Sequence, residues 1–538
     1  MVTSCDMQRL PLGETSFVNI RENNKIYVDK TELLYPITQY CVPHLITRPN
    51  RFGKSLLINT LVDLYTNGLE HFKGLAIEKV WNEPTRPVIY LDFSAIAHNT
   101  ANKLRENLNK TLIEQFNLQS EDAYYEDGTL RSPQLILGTI ARSNKKPILL
   151  IDEYDAPFND TIANEQEVQA IKSTLFGFYA TIKSYTGQFK FILITGVTRI
   201  CLTNMFSGFN NVRDLSFKSD VNELLGFTQN ELEQYFDTYI ENASQVLNMS
   251  KQDVYARLEE YYGGFGFSQR ATQTVYNPSS IINFLHAPQE GFKNYWAEYN
   301  GNKSLILNSL NINGKSELIT YHHRYSSVDN FMFEEKYDIR EMPLDLLLYQ
   351  SGYFTIHVIK EYYPYLAFPN IEVEESFLML YLEINNLKPS AALQQKIATL
   401  IDKIDDQNLK QIIDIFNAIL NEYIIDPNEM FRDTRAVRDI IYAALMTLPG
   451  LQIIKQRVKL YGSPDIALVT KKTCMIIAFQ TTSEQCKPQE ALTAAYELLE
   501  KNQYAERFAK THAIYSVAMV IIDDQQKILD EFCGAVHE

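Results

Sequence analysis

Cysteine is scarce: six residues in 538, with no two in a Cys-x-x-Cys arrangement. A structural zinc site or a dithiol redox motif needs that kind of spacing. The nine histidines supply no His-x₃-His partner, and His322 and His323 are merely adjacent. Cys5, Cys41, Cys201, Cys474, Cys486 and Cys533 are therefore expected to be free thiols in a reducing compartment, with no zinc. Long apolar runs are missing too. No stretch of 18 apolar residues occurs, so no membrane span is expected. The N-terminal MVTSCDMQRL lacks the apolar segment of a signal peptide. Both absences point to a cytoplasmic protein without a membrane partner. Basic charge is outnumbered, 50 Lys and Arg against 66 Asp and Glu, for a net −16. That balance disfavours a general nucleic-acid or membrane binder and leaves room only for a local basic groove. Tryptophan occurs twice, whereas tyrosine occurs 33 times. Tyrosine buries a ring while keeping a polar end, which suits core and interface positions. The length exceeds what one core supports, so several domains are expected.

Two segments carry the chemistry. Residues 44–57 read HLITRPNRFGKSLL and residues 148–157 read ILLIDEYDAP. The first is an apolar strand, a short loop and Gly53-Lys54-Ser55 opening a helix. Loop amides and a helix N-terminus give converging donors and positive potential, which a phosphate requires. Gly53 permits close backbone approach. Lys54 would reach the β- and γ-phosphates, and the Ser55 hydroxyl would ligate Mg²⁺. The usual first glycine of such a loop is Arg48 here. Asn50 tolerates left-handed backbone, and Arg48 or Arg51 would add charge. Arg48, Asn50, Arg51, Phe52, Gly53, Lys54 and Ser55 are thus the candidate phosphate-binding residues. Gly-Lys-Ser/Thr alone arises by chance in roughly one chain in four of this length, so the strand-loop-helix context matters more than the tripeptide.

Ile148 to Ile151 are branched apolar residues, as a strand buried on both faces demands. Asp152 then falls at the strand's C-terminal edge, where α/β sheets bind ligands. Asp152 is assigned to Mg²⁺, through water, and Glu153 to polarising an attacking water. Asp155 reads as a turn or helix cap before Pro157. A third strand, FKFILITGV, ends before Thr198-Arg199, and Arg199 is the candidate γ-phosphate sensor. The expected strands are Pro43–Thr47, Val88–Phe93, Ile148–Asp152 and Phe189–Thr195, alternating with helices, which predicts a parallel sheet. Asp92 closes the second strand and reads as structural. Thr228 and Glu231 fit a capping box. Gly263, Gly264 and Gly266 read as a turn. Residues 430–538 change to a small α/β unit with strand-like KQRVKLYG, SPDIALVT, CMIIAFQTT and Ile514–Ile522.

Taken together, LPLGETSF, YVDKTELL, RPNRFGKSLL, LLIDEYDAP, TGVTRI, LLGFTQNEL, YYGGFGFS, VYNPSSIINFL, LLYQSGYFTI and FPNIEVEESF resemble the bacterial AAA-ATPase-like proteins that carry a C-terminal PD-(D/E)XK nuclease-superfamily domain. The resemblance implies an α/β fold with a P-loop NTPase parallel-sheet domain over 1–220. A helical lid-like subdomain would follow over 221–300, a helical middle region over 301–428, and a restriction-endonuclease-like α/β domain over 429–538. It also implies Arg-Pro before the phosphate loop, and ATP with Mg²⁺ as ligands. Such a nuclease would need an acid on one strand, a Glu on the next and a Lys two residues on. Asp465 matches the first. Ala478 stands where the Glu should be and Gln480 where the Lys should be. Ala cannot ligate a metal and Gln carries no charge, so the nuclease site is expected to be dead and the domain kept for binding nucleic acid or a protein.

Two alternatives stay open. One is an active ATP-regulated DNA nuclease with a displaced acid, Glu484, Asp439 and Lys459 being nearby in sequence. The other is a non-enzymatic scaffold. Arg432, Arg435 and Arg438, with Lys455, Arg457 and Lys459, would track a phosphate backbone if they faced one groove. An oligomer is compatible with the chain, but no Arg acting in trans stands out.

Overall fold

The computed structural model describes residues 8–143, 145–199, 212–268, 273–298, 303–313, 326–327, 340–358, 364–384, 388–423, 434–446, 448, 450–455, 466–482, 488–501, 512–522 and 527–536. The described chain gathers into two units, Met1–Ser376 and Phe377–Glu538. Among its residues no helix is long and apolar enough to cross a membrane.

In the first unit, β1 (Pro43–Thr47), β2 (Val88–Asp92), β3 (Ile148–Asp152), β4 (Phe191–Gly196) and β5 (Arg213–Asp214) form one sheet in the order β2-β3-β4-β1-β5. Every pairing is parallel. β1, β3 and β4 are buried along their whole length, while the edge strand β2 alternates. That is why the inner strands read as unbroken apolar runs. Parallel strands put their C-terminal ends on one sheet edge, so Thr47, Asp152 and Gly196 finish side by side. The helix Lys54–Asn67 leaves β1 and packs on β2 and β3.

Short helices follow, Gln229–Tyr235, Asp237–Leu247, Lys251–Tyr262 and Pro278–His286. They share a core built on Leu232, Phe236, Ile240, Leu258, Tyr262 and Phe284. The Thr228–Glu231 capping box is present in both directions. Gly264 lies at φ +82°, and a Cβ there would meet the Pro369 carbonyl oxygen at 2.2 Å. Gly263, Gly264 and Gly266 flank Phe265, which bridges antiparallel to Val275. The stretch from 301 to 428, expected to be mostly helical, also holds β6 (Ser326–Ser327), β7 (Thr355–Val358) and β8 (Pro364–Ala367), which pair antiparallel in the order β6-β8-β7. Strands of two to four residues are too short to impose a visible period of two.

The second unit holds β9 (Gln452–Lys455), β10 (Ile466–Val469), β11 (Thr473–Thr482), β12 (Ala513–Ile522) and β13 (Lys527–Val536), in the order β13-β12-β11-β10-β9. Only β11 and β12 run parallel. One face of this sheet, with Met475, Ile477, Phe479, Val517 and Met519, shares a core with Ile412, Phe416, Ile441 and Leu445. These come from the helices Leu409–Tyr423 and Thr434–Leu445. The other face carries Ala478, Ala518 and Val520 against Leu492 and Ala495 of the helix Pro488–Lys501. Helices on both faces explain why CMIIAF shows no alternation. Helices of the expected middle region therefore contribute to the same core as the C-terminal strands. β13 escaped the sequence reading because Asp530, Glu531 and Gly534 interrupt its apolar pattern.

Candidate active site

Gly53 is the N-cap of the helix Lys54–Asn67 and sits at φ +96°, a left-handed geometry that favours glycine. The preceding left-handed residue is Arg51, at φ +71°, where Asn50 was the expected one. Phe52 is buried, edge-on to Phe265 at 4.8 Å and Phe267 at 5.2 Å. Its side chain anchors the loop from beneath.

The Lys54 ammonium is almost fully buried and donates to the Arg48 carbonyl at 3.0 Å and the Pro49 carbonyl at 3.3 Å. It also donates to Asn50 Oδ1 at 3.4 Å and pairs with Glu153 Oε1 at 3.2 Å. Ser55 Oγ donates to Asp152 Oδ2 at 2.7 Å. β4 separates β1 from β3, yet Lys54, Ser55, Asp152 and Glu153 converge above it. Asp152 Oδ1 accepts from the Glu153 amide at 3.1 Å and from the Thr195 hydroxyl. Thr195, on β4, was not singled out from the sequence. The signal for it was a hydroxyl ending an otherwise apolar strand.

Glu153 is in the left-handed region at φ +49°, a strained position for a residue with a Cβ. Burial raises its carboxyl from the ordinary 4.5 to about 7, against the pull of Lys54 and with help from Asp155 and Asp152. Asp155 does not cap a helix with its side chain. Its carboxylate accepts from the Val197 amide at 3.2 Å, the Thr198 amide at 2.7 Å and the Thr198 hydroxyl at 2.6 Å. A Cβ at Gly196 would meet Asp155 Oδ1 at 2.5 Å, so only glycine lets the β3 and β4 ends approach so closely. Asp92 accepts from the Ser94 amide and hydroxyl in a turn, and stands in register with Asp152 across the β2–β3 pair.

Two arginines of the expected site are buried against protein partners. Arg48 is fully buried beneath the loop. It donates to the carbonyls of Thr47 at 2.8 Å, Ser216 at 2.8 Å and Val221 at 3.3 Å. Its guanidinium lies 4.3 Å from the Phe267 ring centroid. Its side chain is a strut and adds no charge at the loop surface. Arg51 is the exposed one. Arg199 is buried, with Nε and Nη2 on Asp214 Oδ2 at 2.8 and 2.7 Å and the guanidinium 4.6 Å from the Phe217 centroid.

A cavity of about 480 Å³ opens beside the loop. Lys54, Ser55 and Glu153 line one end, while Ile20, Val28, Leu225, Phe227 and Ile282 line the rest. Lys30, paired with Glu231 at 2.6 Å, and Asn283 are among its polar groups.

In the second unit, Ala478 is fully buried beneath the helix Pro488–Lys501, and Gln480 is partly buried further along β11. Asp465, Glu484 and Lys459 lie outside the described residues. Asp439 is buried and paired with Arg438 at 3.0 Å. Arg438 is itself buried, so it cannot join an exposed basic groove. Of the others in that cluster, Arg432, Arg457 and Lys459 lie outside the described residues, and only the backbone of Arg435 and Lys455 is described. Among the described residues no three His, Cys, Asp or Glu side chains cluster as a metal cage. Among the described residues Cys41, Cys474 and Cys533 form no disulfide. Cys5, Cys201 and Cys486 lie outside the described residues.

Residues 11–206 match a family described as a predicted AAA-ATPase. That span contains β1 to β4 and every residue of the cluster above. Over 540 residues the chain is also 22% identical to a protein of Azotobacter chroococcum mcd 1, covering 97% of this chain and 98% of that one. That protein is described as uncharacterized, in the vnfD 5′ region. The N-terminal region is therefore similar to an AAA-ATPase-like family, which suggests ATP binding.

Proposed function

We propose that the chain is an ATP-binding, ATP-hydrolysing protein whose phosphate site lies between the Gly53-Lys54-Ser55 turn and the Asp152-Glu153 strand end. The observation that carries this is the Ser55–Asp152 hydrogen bond beside the Lys54–Glu153 ion pair. Two residues 97 positions apart bring together a hydroxyl and a carboxylate, an all-oxygen donor set that suits a hard cation. Ser55 and Asp152 would hold Mg²⁺, which when bound supplies charge neutralisation at the phosphate oxygens. Lys54 would leave the Arg48 and Pro49 carbonyls for the β- and γ-phosphate oxygens. Glu153, freed from that ion pair, would accept a proton from water. Thr195 would fix the orientation of Asp152 through its hydroxyl. The neighbouring cavity has the volume and mainly apolar lining of a small-molecule pocket, and fits a base and sugar. Arg199 would act as the γ-phosphate sensor only after exchanging Asp214 for the nucleotide.

For the second unit, the proposal is a nuclease-like domain without strand-cleaving chemistry, retained for binding. What supports it is a buried alanine at 478 and an uncharged glutamine at 480.

Phosphate release by purified protein, with and without Lys54→Ala, tests the ATPase assignment. The substitution should lower the rate by about 10²-fold or more, as removing a preorganised charge does elsewhere. An undiminished rate would refute the assignment.

A further inference from the structure

The segment Leu347–Phe354, reading LLYQSGYF, lies far in sequence from residues 11–206. It nevertheless touches both loops of the candidate site. The buried Gln350 accepts the Arg199 backbone N–H on Oε1 at 2.8 Å. Its amide nitrogen has no hydrogen-bond partner among the described residues. Two residues on, Gly352 turns at φ +86°, and a Cβ there would lie 2.7 Å from Pro49 Cβ and 2.6 Å from the Trp296 ring. The backbone of this segment is therefore seated directly against the phosphate loop. Tyr349 stacks at 5.9 Å on Phe217, the ring beneath the Arg199 guanidinium. Thr355, just beyond, accepts the Gly266 amide at 2.7 Å, next to the aromatic pair that anchors Phe52.

The turn of residues 197–199 is thus held from two sides. Asp155 grips Val197 and Thr198 from the β3 end, and Gln350 grips Arg199 from the helix Leu344–Gln350. The same turn continues β4, whose Thr195 bonds Asp152.

We propose that Gln350 is a positioning residue: its side-chain oxygen fixes the Arg199 turn, and with it the Thr195–Asp152 pair, in register with the phosphate loop that Gly352 abuts. This rests on the ATPase reading and adds a contributor from outside the matched region. Gln350 lies outside the residues assigned to phosphate and metal, so its effect falls on turnover and spares affinity.

The test compares Gln350→Met, which keeps the volume and loses the acceptor, with Gln350→Glu, which keeps an acceptor oxygen. ATP affinity by calorimetry and kcat by phosphate release are measured on the full chain. Gln350→Met should lower kcat about tenfold with the ATP Kd within about twofold, and Gln350→Glu should recover most of the rate. Asp155→Asn, which loosens the turn from the other side, should give the same split. Equal kcat for Gln350→Met and the unsubstituted protein would overturn the assignment. Failure of both Gln350→Met and Asp155→Asn to fold would do so too, by making the turn mere scaffold. An unsubstituted protein without ATPase activity would instead refute the ATPase reading itself.

Discussion

The sharpest consequence of the site concerns one proton. Burial lifts the Glu153 carboxyl from 4.5 to about 7, even with Lys54 at 3.2 Å. An acid whose folded value exceeds its unfolded one is bound more tightly by protons in the native state. The native protein is therefore favoured below the unfolded value, and loses that advantage as pH rises towards the folded one. The whole effect amounts to about 3 kcal/mol, spread over the interval from 4.5 to about 7. Glu153→Gln, a neutral stand-in for the protonated acid, removes it. Without nucleotide, the substituted protein should match the unsubstituted one near about pH 4 and exceed it by up to about 3 kcal/mol near about pH 8. Denaturant unfolding of the first unit, followed across pH, reads this directly.

Hydrolysis should show the opposite slope. If Glu153 accepts the proton of the attacking water, only its ionised form works. The pH profile of kcat/KM reports the free enzyme, so it should climb about tenfold per pH unit up to about 7 and then level off. At about pH 6 the value should be roughly one tenth of the plateau. The terminal phosphate of the substrate ionises near about 6 as well, which is why the nucleotide-free stability measurement belongs beside the kinetic one. A flat kcat/KM profile from about pH 5.5 to about pH 8.5, joined to a pH-independent stability gap between the two proteins, would refute the placement of a protonated Glu153 beside Lys54.

Arg48→Met should act on the fold before it acts on nucleotide. It withdraws hydrogen bonds from three carbonyls under the loop and should cost about 2–5 kcal/mol, read as a lowered melting temperature. A melting temperature equal to that of the unsubstituted protein, with only ATP affinity reduced, would return Arg48 to the phosphate-contact role first expected of it. Incubation of the full chain with plasmid, Mg²⁺ or Mn²⁺ and ATP should leave the DNA uncut. Cleavage that vanishes in Asp465→Ala would restore the nuclease reading of the second unit.

Much of the parallel sheet was legible because burial on both faces writes itself into sequence as continuous branched runs. β3 begins with the run Ile148–Ile151 and ends on the acid after it, whereas β1 includes His44. The roles of side chains in the loop were less legible. RPNRFGKS shows two arginines at comparable distance from Lys54, and nothing local separates them. The separation is tertiary: Arg48 meets carbonyls at 216 and 221 and a ring at 267, contacts that no window of the first 60 residues contains. Asp155 was legible only in part. It stands in a turn at the N-cap position of the helix Ala156–Asn159, but its carboxylate takes its backbone donors from the turn after β4, some 42 residues away.

The substitution of Arg48 for the usual first glycine follows from these contacts. A glycine there would leave the loop free to choose its entry angle. The chain instead plants a cation beneath the loop and ties it to the segment after β5, while Phe52 is wedged between Phe265 and Phe267. With the loop fixed from below, the Arg48 and Pro49 carbonyls hold the Lys54 ammonium. Binding must then exchange two carbonyls and one carboxylate for phosphate oxygens. On the proposed reading, that exchange would leave the Glu153 carboxylate without its cation when it is to act as a base. The same displacement that admits the triphosphate would thus arm the residue that hydrolyses it, a coupling that a flexible glycine at position 48 would weaken.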